Sequence, residues 1–265
     1  MQTRVIVVKI GGSTLGTHDT TLEDLVELQQ QGESLVVVHG GAKVTSEWLA
    51  RLGIPTSFVR GLRVTDAETL KVVTAALSGL VNKELVVAIQ SLGGKTVSLS
   101  GCDGNLLQAR IKSRELGYVG EIVGVDATPL RLLLDAGYMP VVSPVSFGSV
   151  EGRTMLLNVN GDTAAGEIAA ALAAERLIFL TDVDGINDES GKAIPGLNLA
   201  RAKDLLSSGA ASGGMVPKIE ASLRALTTTK VVRIIDGRAV HTLRNDVSRQ
   251  AGQMIKSGGT TIVSE

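Results

Sequence analysis

The sequence predicts an α/β fold, a mostly parallel β-sheet with helices packed on both faces. Two observations point there. Strand-like and helical patterns alternate almost throughout the chain. The first strand-like runs, Val5–Ile10 and Leu35–Val38, are almost wholly Val, Ile and Leu, which is how strands buried on both faces read. With 265 residues and 44% hydrophobic content there is material for a large core, as one broad domain or as two lobes meeting near residues 165–175.

Val5–Ile10 is an apolar run broken only by Lys9, and Leu35–Val38 is another. Between them Thr20-Thr21-Leu22-Glu23 fits a capping box, and Leu22, Leu25, Val26 and Leu28 give a helical face, so a βαβ unit is expected. After His39-Gly40-Gly41 a helix runs over Val44–Leu52 and ends at Gly53-Ile54-Pro55. Residues 61–64 form a loop or short strand. Thr65-Asp66-Ala67-Glu68 then caps a long helix reaching Ser91, with Leu70, Val73, Leu77, Leu80 and Val81 at helical spacing. A strand at Thr96–Leu99 is followed by short antiparallel strands within 105–125. A leucine-rich helix starts at Thr128-Pro129, with proline at its favoured first position, and a strand covers Tyr138–Ser143 before Pro144 turns the chain outward. The remainder reads as a helix over Asp162–Ala174, a strand at Arg176–Leu180, a polar loop through 186–199, helices at Ala200–Ser208 and Lys218–Leu226, and strands at Val231–Ile235 and Thr260–Val263.

Composition excludes several classes. Lys plus Arg number 26 against 27 Asp plus Glu, for a net charge of −1 with no basic run, so nucleic acid is not the expected ligand. The single Cys102 rules out an intramolecular disulfide and a cysteine-built metal site, and His18, His39 and His241 are too dispersed for a zinc cluster. No signal peptide is visible and the apolar stretches are interrupted short of membrane-spanning length, so a soluble cytoplasmic protein is expected.

Three clusters carry the chemistry: Lys9-Ile10-Gly11-Gly12-Ser13, Asn158-Val159-Asn160-Gly161-Asp162, and Gly213-Gly214-Met215-Val216-Pro217-Lys218. Lys9 interrupts a strand otherwise suited to burial. Such an ammonium needs a partner, and at the carboxyl end of a parallel strand it points into the crevice where these sheets bind ligands; the plainer alternative is a tight turn with a snorkelling lysine. Gly11 and Gly12, and Gly40 and Gly41 one strand later, let backbone N–H groups approach an anion. His39 reads as a hydrogen-bonded core histidine and Arg63 as a fork for a carboxylate or a salt-bridged surface group. Asn158 and Asn160 fall on one side of an extended segment, and Asp162 stands at a helix start, where it caps or orients other groups. The acids of Thr181-Asp182-Val183-Asp184-Gly185 face Mg²⁺ or ribose, or simply make turns. Lys218 adds its charge to a helix amino terminus. Lys9 and Lys218 together suit phosphoryl transfer, which rests on positioning and charge stabilisation. Neither the P-loop spacing nor the dinucleotide glycine fingerprint occurs.

These clusters, in order with Gly61-Leu62-Arg63-Val64-Thr65 and Asp103-Gly104-Asn105-Leu106, resemble the amino-acid kinase superfamily over nearly the whole length, most closely its acetylglutamate kinases. The resemblance implies a three-layer α/β/α sandwich around a central, mostly parallel sheet of about eight strands. It implies an N-terminal lobe (1–170) that binds the amino-acid substrate and dimerises, and a C-terminal lobe (171–265) that binds ATP. The implied activity is phosphorylation of the side-chain carboxylate of N-acetyl-L-glutamate by ATP with Mg²⁺, a step of arginine biosynthesis. Lys9 and Lys218 match the lysines acting on the transferring phosphoryl group, and Asp162 the aspartate that holds both. Gly11, Gly12, Gly40 and Gly41 match the turns around that group. Arg63 and Asn158, with Asn160 beside them, match the acceptor-binding groups, and Thr181, Asp182, Gly214 and Met215 border the nucleotide. No protein-built metal site is implied.

The sequence departs from the family pattern at Ala42-Lys43, where a glycine and a proline are usual, at Gly161, usually alanine, and over Arg244–Lys256. Its start at the first strand, without the extra helix of arginine-inhibited hexameric members, leads to the expectation of a homodimer with weak or absent arginine control. The alternatives are a kinase for a carrier-protein-linked aminoadipate or glutamate, which Lys43 favours and the Gly61–Thr65 run disfavours, and a non-catalytic amino-acid or nucleotide sensor. An oxidoreductase lacks its fingerprint.

Overall fold

The computed structural model describes residues 4–11, 20–188, 191–211, 213–249 and 258–264. Gly12 and Ser13 of the first glycine cluster lie outside them, as do His18 and much of the divergent segment after Arg244. In chain order the elements are β1 (Val5–Ile10), α1 (Thr21–Gln30), β2 (Ser34–His39), α2 (Ala42–Arg51), β3 (Phe58–Val59), β4 (Leu62–Arg63), α3 (Ala67–Thr74), α4 (Asn82–Ser91), β5 (Thr96–Ser100), β6 (Leu107–Ile111), β7 (Gly120–Val125), α5 (Thr128–Asp135), β8 (Met139–Ser143), β9 (Val145–Val150), β10 (Arg153–Asn158), α6 (Gly161–Leu172), β11 (Arg176–Thr181), β12 (Gly196–Asn198), α7 (Leu199–Ser207), α8 (Met215–Ala225), β13 (Val231–Asp236), α9 (Thr242–Val247) and β14 (Thr260–Val263).

The central sheet has eight strands in the order β12-β14-β13-β11-β1-β2-β8-β5. All neighbours run parallel except β13 and β14. Alternation along each strand feeds two cores. Val5, Val7, Val36, Val38, Leu177 and Phe179 pack with Ala165 and Ile168 of α6 and Ile219 of α8. Ile6, Val8, Ile10, Val37 and Ile178 pack on the other face with Leu25 and Leu28 of α1, Leu85 and Ile89 of α4 and Leu243 of α9. The expected three-layer sandwich is therefore present. A second sheet, β10-β9-β6-β7, lies beside α6, and β3 and β4 form a separate hairpin.

Several local expectations are corrected. Thr20 is the N-cap of α1 but makes no side-chain cap; its Oγ1 accepts the His241 N–H at 2.6 Å, an opportunity visible only in three dimensions. Pro129 is the second residue of α5, and α8 starts at Met215, which makes Pro217 its third residue. Both places precede the need for an intrahelical N–H donor. The chain does not leave the fold at Pro144: β9 and β10 form a hairpin closed at Glu151-Gly152, both with positive φ, as a two-residue turn demands. The polar stretch 186–199 contains β12, and α9 was not anticipated.

The stretch Ala67–Ser91 is long and apolar enough by length and composition to cross a membrane, contrary to the sequence expectation. Its apolar side faces the interior, with Val73, Leu77, Leu85 and Ile89 buried. Between α3 and α4, residues Ala75–Val81 wind as a π-helix, a form that concentrates near functional sites. It packs on the second glycine turn, where a Cβ on Gly41 would lie 2.5 Å from Leu77 Cδ2.

Candidate active site

Lys9 shares a strand face with Val5 and Val7, so its side chain heads toward α6. There Asp162, in the first turn of α6, meets it: Lys9 Nζ lies 2.7 Å from Asp162 Oδ1. Lys218 Nζ lies 3.1 Å from Asp162 Oδ2, and also donates to the Gly214 carbonyl at 3.3 Å. The second approach depends on a close helix crossing. A Cβ on Gly166 would lie 2.6 Å from the Ala221 carbonyl oxygen, so α6 and α8 nearly touch backbones one turn beyond Asp162 and Lys218.

The three charged groups are nearly buried, with side-chain exposures of 9%, 6% and 13% for Lys9, Asp162 and Lys218. Burial by itself raises the Asp162 carboxyl, but the ammonium groups of Lys9 and Lys218 outweigh it and hold the group below the usual carboxylate range. Two cations against one anion leave the cluster net positive. The amino termini of α2 and α6 lie at this place and add to the positive potential, and the first turn of α8 supplies Lys218. Such an arrangement is suited to a polyanion.

Beside the cluster opens a cavity of about 190 Å³, lined by Lys9, Gly40, Gly41, Arg63, Asn158, Asn160 and Asp162 among others. Seven of the sequence-predicted site residues thus converge. Arg63 ends the β3–β4 hairpin and is buried, its guanidinium donating to the Ala42 carbonyl at 3.1 Å and Ser46 Oγ at 2.7 Å and lying 4.8 Å from the centroid of the Phe58 ring. Burial lowers its pKa, and the remaining terminal nitrogen, Nη1, is buried without a partner. Asn160 rather than Asp162 caps α6, its Oδ1 accepting from the N–H groups of Asp162 and Thr163 at 2.8 and 3.0 Å. Gly161 leaves space in which a Cβ would stand 3.3 Å from the His39 carbonyl oxygen and 3.5 Å from Lys9 Cε.

His39 is the hydrogen-bonded core histidine its sequence position suggested. Its Nδ1 meets the Gly40 carbonyl at 2.7 Å and its Nε2 meets the Asn82 amide nitrogen at 3.0 Å, so Nδ1 carries the proton and Nε2 accepts. Burial lowers its pKa to about 4; the Gly40 bond opposes that shift, and the charge of Lys9 adds a smaller lowering.

The nucleotide candidates do not line this cavity. Thr181 ends β11 opposite Asp236 and one residue beyond Leu180, the partner of Ile10. It therefore stands on the same sheet edge as Gly11, whose N–H donates to the Leu180 carbonyl at 3.1 Å. Thr181 Oγ1 donates to Asp182 Oδ1 at 3.3 Å. Gly214 and Met215 start α8. Phe58, Ser46 and Asn82 escaped the sequence reading, which took Thr65 as part of a helix cap and of the Gly61–Thr65 motif; a lone Asn82 within an apolar helical run was the one available signal.

The sequence matches the model of the amino acid kinase family over residues 4–236. The chain belongs to the amino acid kinase family. Other family likenesses span the chain. An acetylglutamate kinase of Dehalococcoides mccartyi (strain ATCC BAA-2266 / KCTC 15142 / 195) is 44% identical over 264 residues, covering 98% of this chain and 95% of the relative. One from Cereibacter sphaeroides (strain ATCC 17029 / ATH 2.4.9) is 44% identical over 259 residues, covering 96% and 88%. Among solved structures, N-acetylglutamate synthase from Neisseria gonorrhoeae complexed with coenzyme A and N-acetyl-glutamate superposes with a TM-score of 0.81 at 29% identity, covering 99% of this chain and 60% of the synthase. Giardia carbamate kinase, at 13% identity and a TM-score of 0.72, shares the amino acid kinase fold.

Proposed function

We propose that this chain phosphorylates the side-chain carboxylate of N-acetyl-L-glutamate with ATP, as an acetylglutamate kinase of arginine biosynthesis. One observation carries the reading: a buried carboxylate, Asp162, holds two ammonium groups from opposite halves of the chain, 2.7 and 3.1 Å away, at the wall of a cavity that also presents Arg63 and Asn158. The identity to named acetylglutamate kinases supports the acceptor.

In this reading Arg63 takes a carboxylate of the acceptor, and Asn158 takes the acetamido group. The reacting carboxylate is ionised at neutral pH and needs no general base. Its oxygen forms the new bond to the γ-phosphorus while the bond to the β-phosphate oxygen breaks, giving an acyl phosphate and ADP. Lys9 and Lys218 stabilise the charge on the transferring group, and Asp162 fixes where they stand. Gly40 and Gly41 offer backbone approach to the same group, with Gly11 on the neighbouring strand end; Gly12 lies outside the described residues. Asn160 contributes by capping α6 and fixing the start of Asp162's helix. Thr181, Asp182, Gly214 and Met215 border ATP.

Mg²⁺ fits this arrangement as a companion of the nucleotide. Asp162, the acid at the cavity, is committed to two lysines, and among the described residues no group of three or more His, Cys, Asp or Glu could hold a metal. The ion would thus be held by phosphate oxygens and supply charge neutralisation. Residues 1–170 provide the acceptor side and dimer contacts and residues 171–265 the nucleotide side, in a cytoplasmic homodimer.

The test is ADP release coupled to hydroxylamine trapping, with N-acetyl-L-glutamate, L-glutamate, L-aspartate and aminoadipate derivatives compared. Hydroxamate is expected with acetylglutamate alone. ADP release without hydroxamate, or hydroxamate with a different acceptor, overturns the assignment.

A further inference from the structure

Thr65 is fully buried and fixed on every polar atom. Its N–H donates to the Leu116 carbonyl at 3.0 Å and its carbonyl accepts the Tyr118 N–H at 2.7 Å. The Tyr118 carbonyl in turn accepts the Asn158 N–H at 2.9 Å, so Thr65 and Asn158 hang on one short bridge of backbone. Gly117, at φ +65°, makes this approach possible, because a Cβ there would collide with the Thr65 carbonyl. The Thr65 hydroxyl donates to the Arg63 carbonyl at 2.9 Å, and its oxygen stands 3.0 Å from Asn158 Nδ2.

A hydroxyl has one proton. With that proton given to the Arg63 carbonyl, Thr65 Oγ1 can only accept from Asn158, so the amide nitrogen must face Thr65 and the amide oxygen must face away. Asn158 lines the cavity. We propose that Thr65 is a positioning residue that sets the polarity of the acceptor pocket: its hydroxyl turns the Asn158 carbonyl oxygen inward, so the pocket selects an acceptor with an N–H at that place. This deepens the proposed function and rests on it. N-acetyl-L-glutamate with both carboxylates ionised has a single hydrogen-bond donor, the acetamido N–H. Arg63 and Asn158 then divide the work, a donor for the carboxylate and an acceptor for the amide. The same hydroxyl also ties down the backbone of Arg63.

The wild-type enzyme tests the orientation directly. 2-Acetoxyglutarate replaces the acetamido N–H by an ester oxygen while preserving shape. An inward carbonyl oxygen would face that oxygen with no proton between them, so kcat/KM is expected to fall at least tenfold below that for N-acetyl-L-glutamate. Equal use of the two compounds overturns the proposal, since an inward NH₂ would serve both. The second arm is Thr65→Val, which keeps the shape and removes the hydroxyl. The expected result is a KM for N-acetyl-L-glutamate raised about tenfold, with KM for ATP and kcat within about twofold and a smaller gap between the amide and ester acceptors; Thr65→Ser restores the wild-type pattern. Unchanged discrimination in a folded Thr65→Val enzyme overturns the role given to the hydroxyl. If Thr65→Val does not fold, the acetoxy comparison still decides the amide's orientation and Thr65→Ser against Thr65→Ala decides the hydroxyl. A wild-type enzyme inactive on N-acetyl-L-glutamate refutes the proposed function instead, and the two failures are thereby distinguished.

Discussion

Asp162 is held between two lysines, and the three groups have different consequences when lost. Lys9→Ala or Lys218→Ala leaves the aspartate one partner, so the fold should survive while kcat drops about 10²–10³-fold, the usual scale for a group that stabilises transition-state charge. Circular dichroism beside steady-state kinetics checks both halves. Asp162→Ala leaves two ammonium groups facing each other with little solvent, and should cost about 3–5 kcal/mol of stability as well as turnover; urea unfolding measures the first. His39 supplies a different test. Its folded pKa of about 4 lies below the ordinary 6.5, so between those values the unfolded chain binds a proton that the folded chain refuses. Stability is full above pH 6.5 and declines by about 3 kcal/mol as pH falls to 4. The depressed Asp162 carboxyl begins to cost stability only as pH falls through the ordinary carboxylate value of 3.8, at the acid edge of this window, so the comparison stops at pH 4.5. His39→Gln should flatten the decline in urea midpoints measured from pH 6.5 to 4.5. Equal slopes for the two proteins would exclude His39 as the source.

At the level of elements, the site is assembled by close approach. Glycine at 166 permits α6 and α8 to cross almost backbone to backbone, and Lys218 reaches Asp162 because of it. Gly166→Ala puts a methyl group against Ala221, whose backbone cannot yield as a flexible side chain would. A loss of about 1–3 kcal/mol is expected, together with a fall in kcat as the Lys218–Asp162 distance opens. A variant with wild-type thermal midpoint and turnover would show that the crossing has slack. None of this shows in a hydrophobic pattern: Gly166 sits in an alanine-rich helix and reads as a weak helix former. The π-helical segment Ala75–Val81 is equally silent, since its apolar spacing fits an α-helix over so short a length. By contrast β1, β2, β11, β13 and β14 were legible almost to the residue, because strands covered on both faces are mostly Val, Ile and Leu, with few polar interruptions. The hairpin β9–β10 was not read from the sequence. Its Glu151-Gly152 turn is a sequence signal, but the preceding Pro144 masked it.

The whole molecule joins its two halves through one sheet. β1 is sandwiched between β2 and β11, with register Val8↔Ile178 on one side and Val8↔Val37 on the other. A fragment ending at residue 170 would leave β1 as an open apolar edge, which favours pairing between chains. Residues 1–170 expressed alone should therefore aggregate or show no cooperative unfolding, and a soluble, cooperatively folding fragment would mean that the halves are independent units. A second set of ties lies on the α1 and α9 side. Asp24 accepts from His241 Nδ1 at 2.7 Å and the Arg244 N–H at 3.1 Å. Arg233 and Asp246 pair at 2.7 Å with side-chain exposures of 3% and 4%. Asp246→Ala strands the Arg233 guanidinium in the interior and is expected to cost about 3–5 kcal/mol in denaturant unfolding. The divergence of the chain after Arg244 hid this pair from sequence comparison with the family pattern.

By itself the sequence determined the layer order and the chemical character of the site. Short Val- and Ile-rich runs bounded by turns read as covered strands, and a lysine among them needs an anion. It did not determine who meets whom. The residues alone left Asp162 either a helix cap or a group that orients others, and only the resemblance paired it with Lys9 and Lys218; in the folded chain Asn160 makes the cap and the Asp162 carboxylate meets both ammonium groups. Charges separated by long stretches of chain interact through distance and burial, and those are properties of the tertiary structure alone.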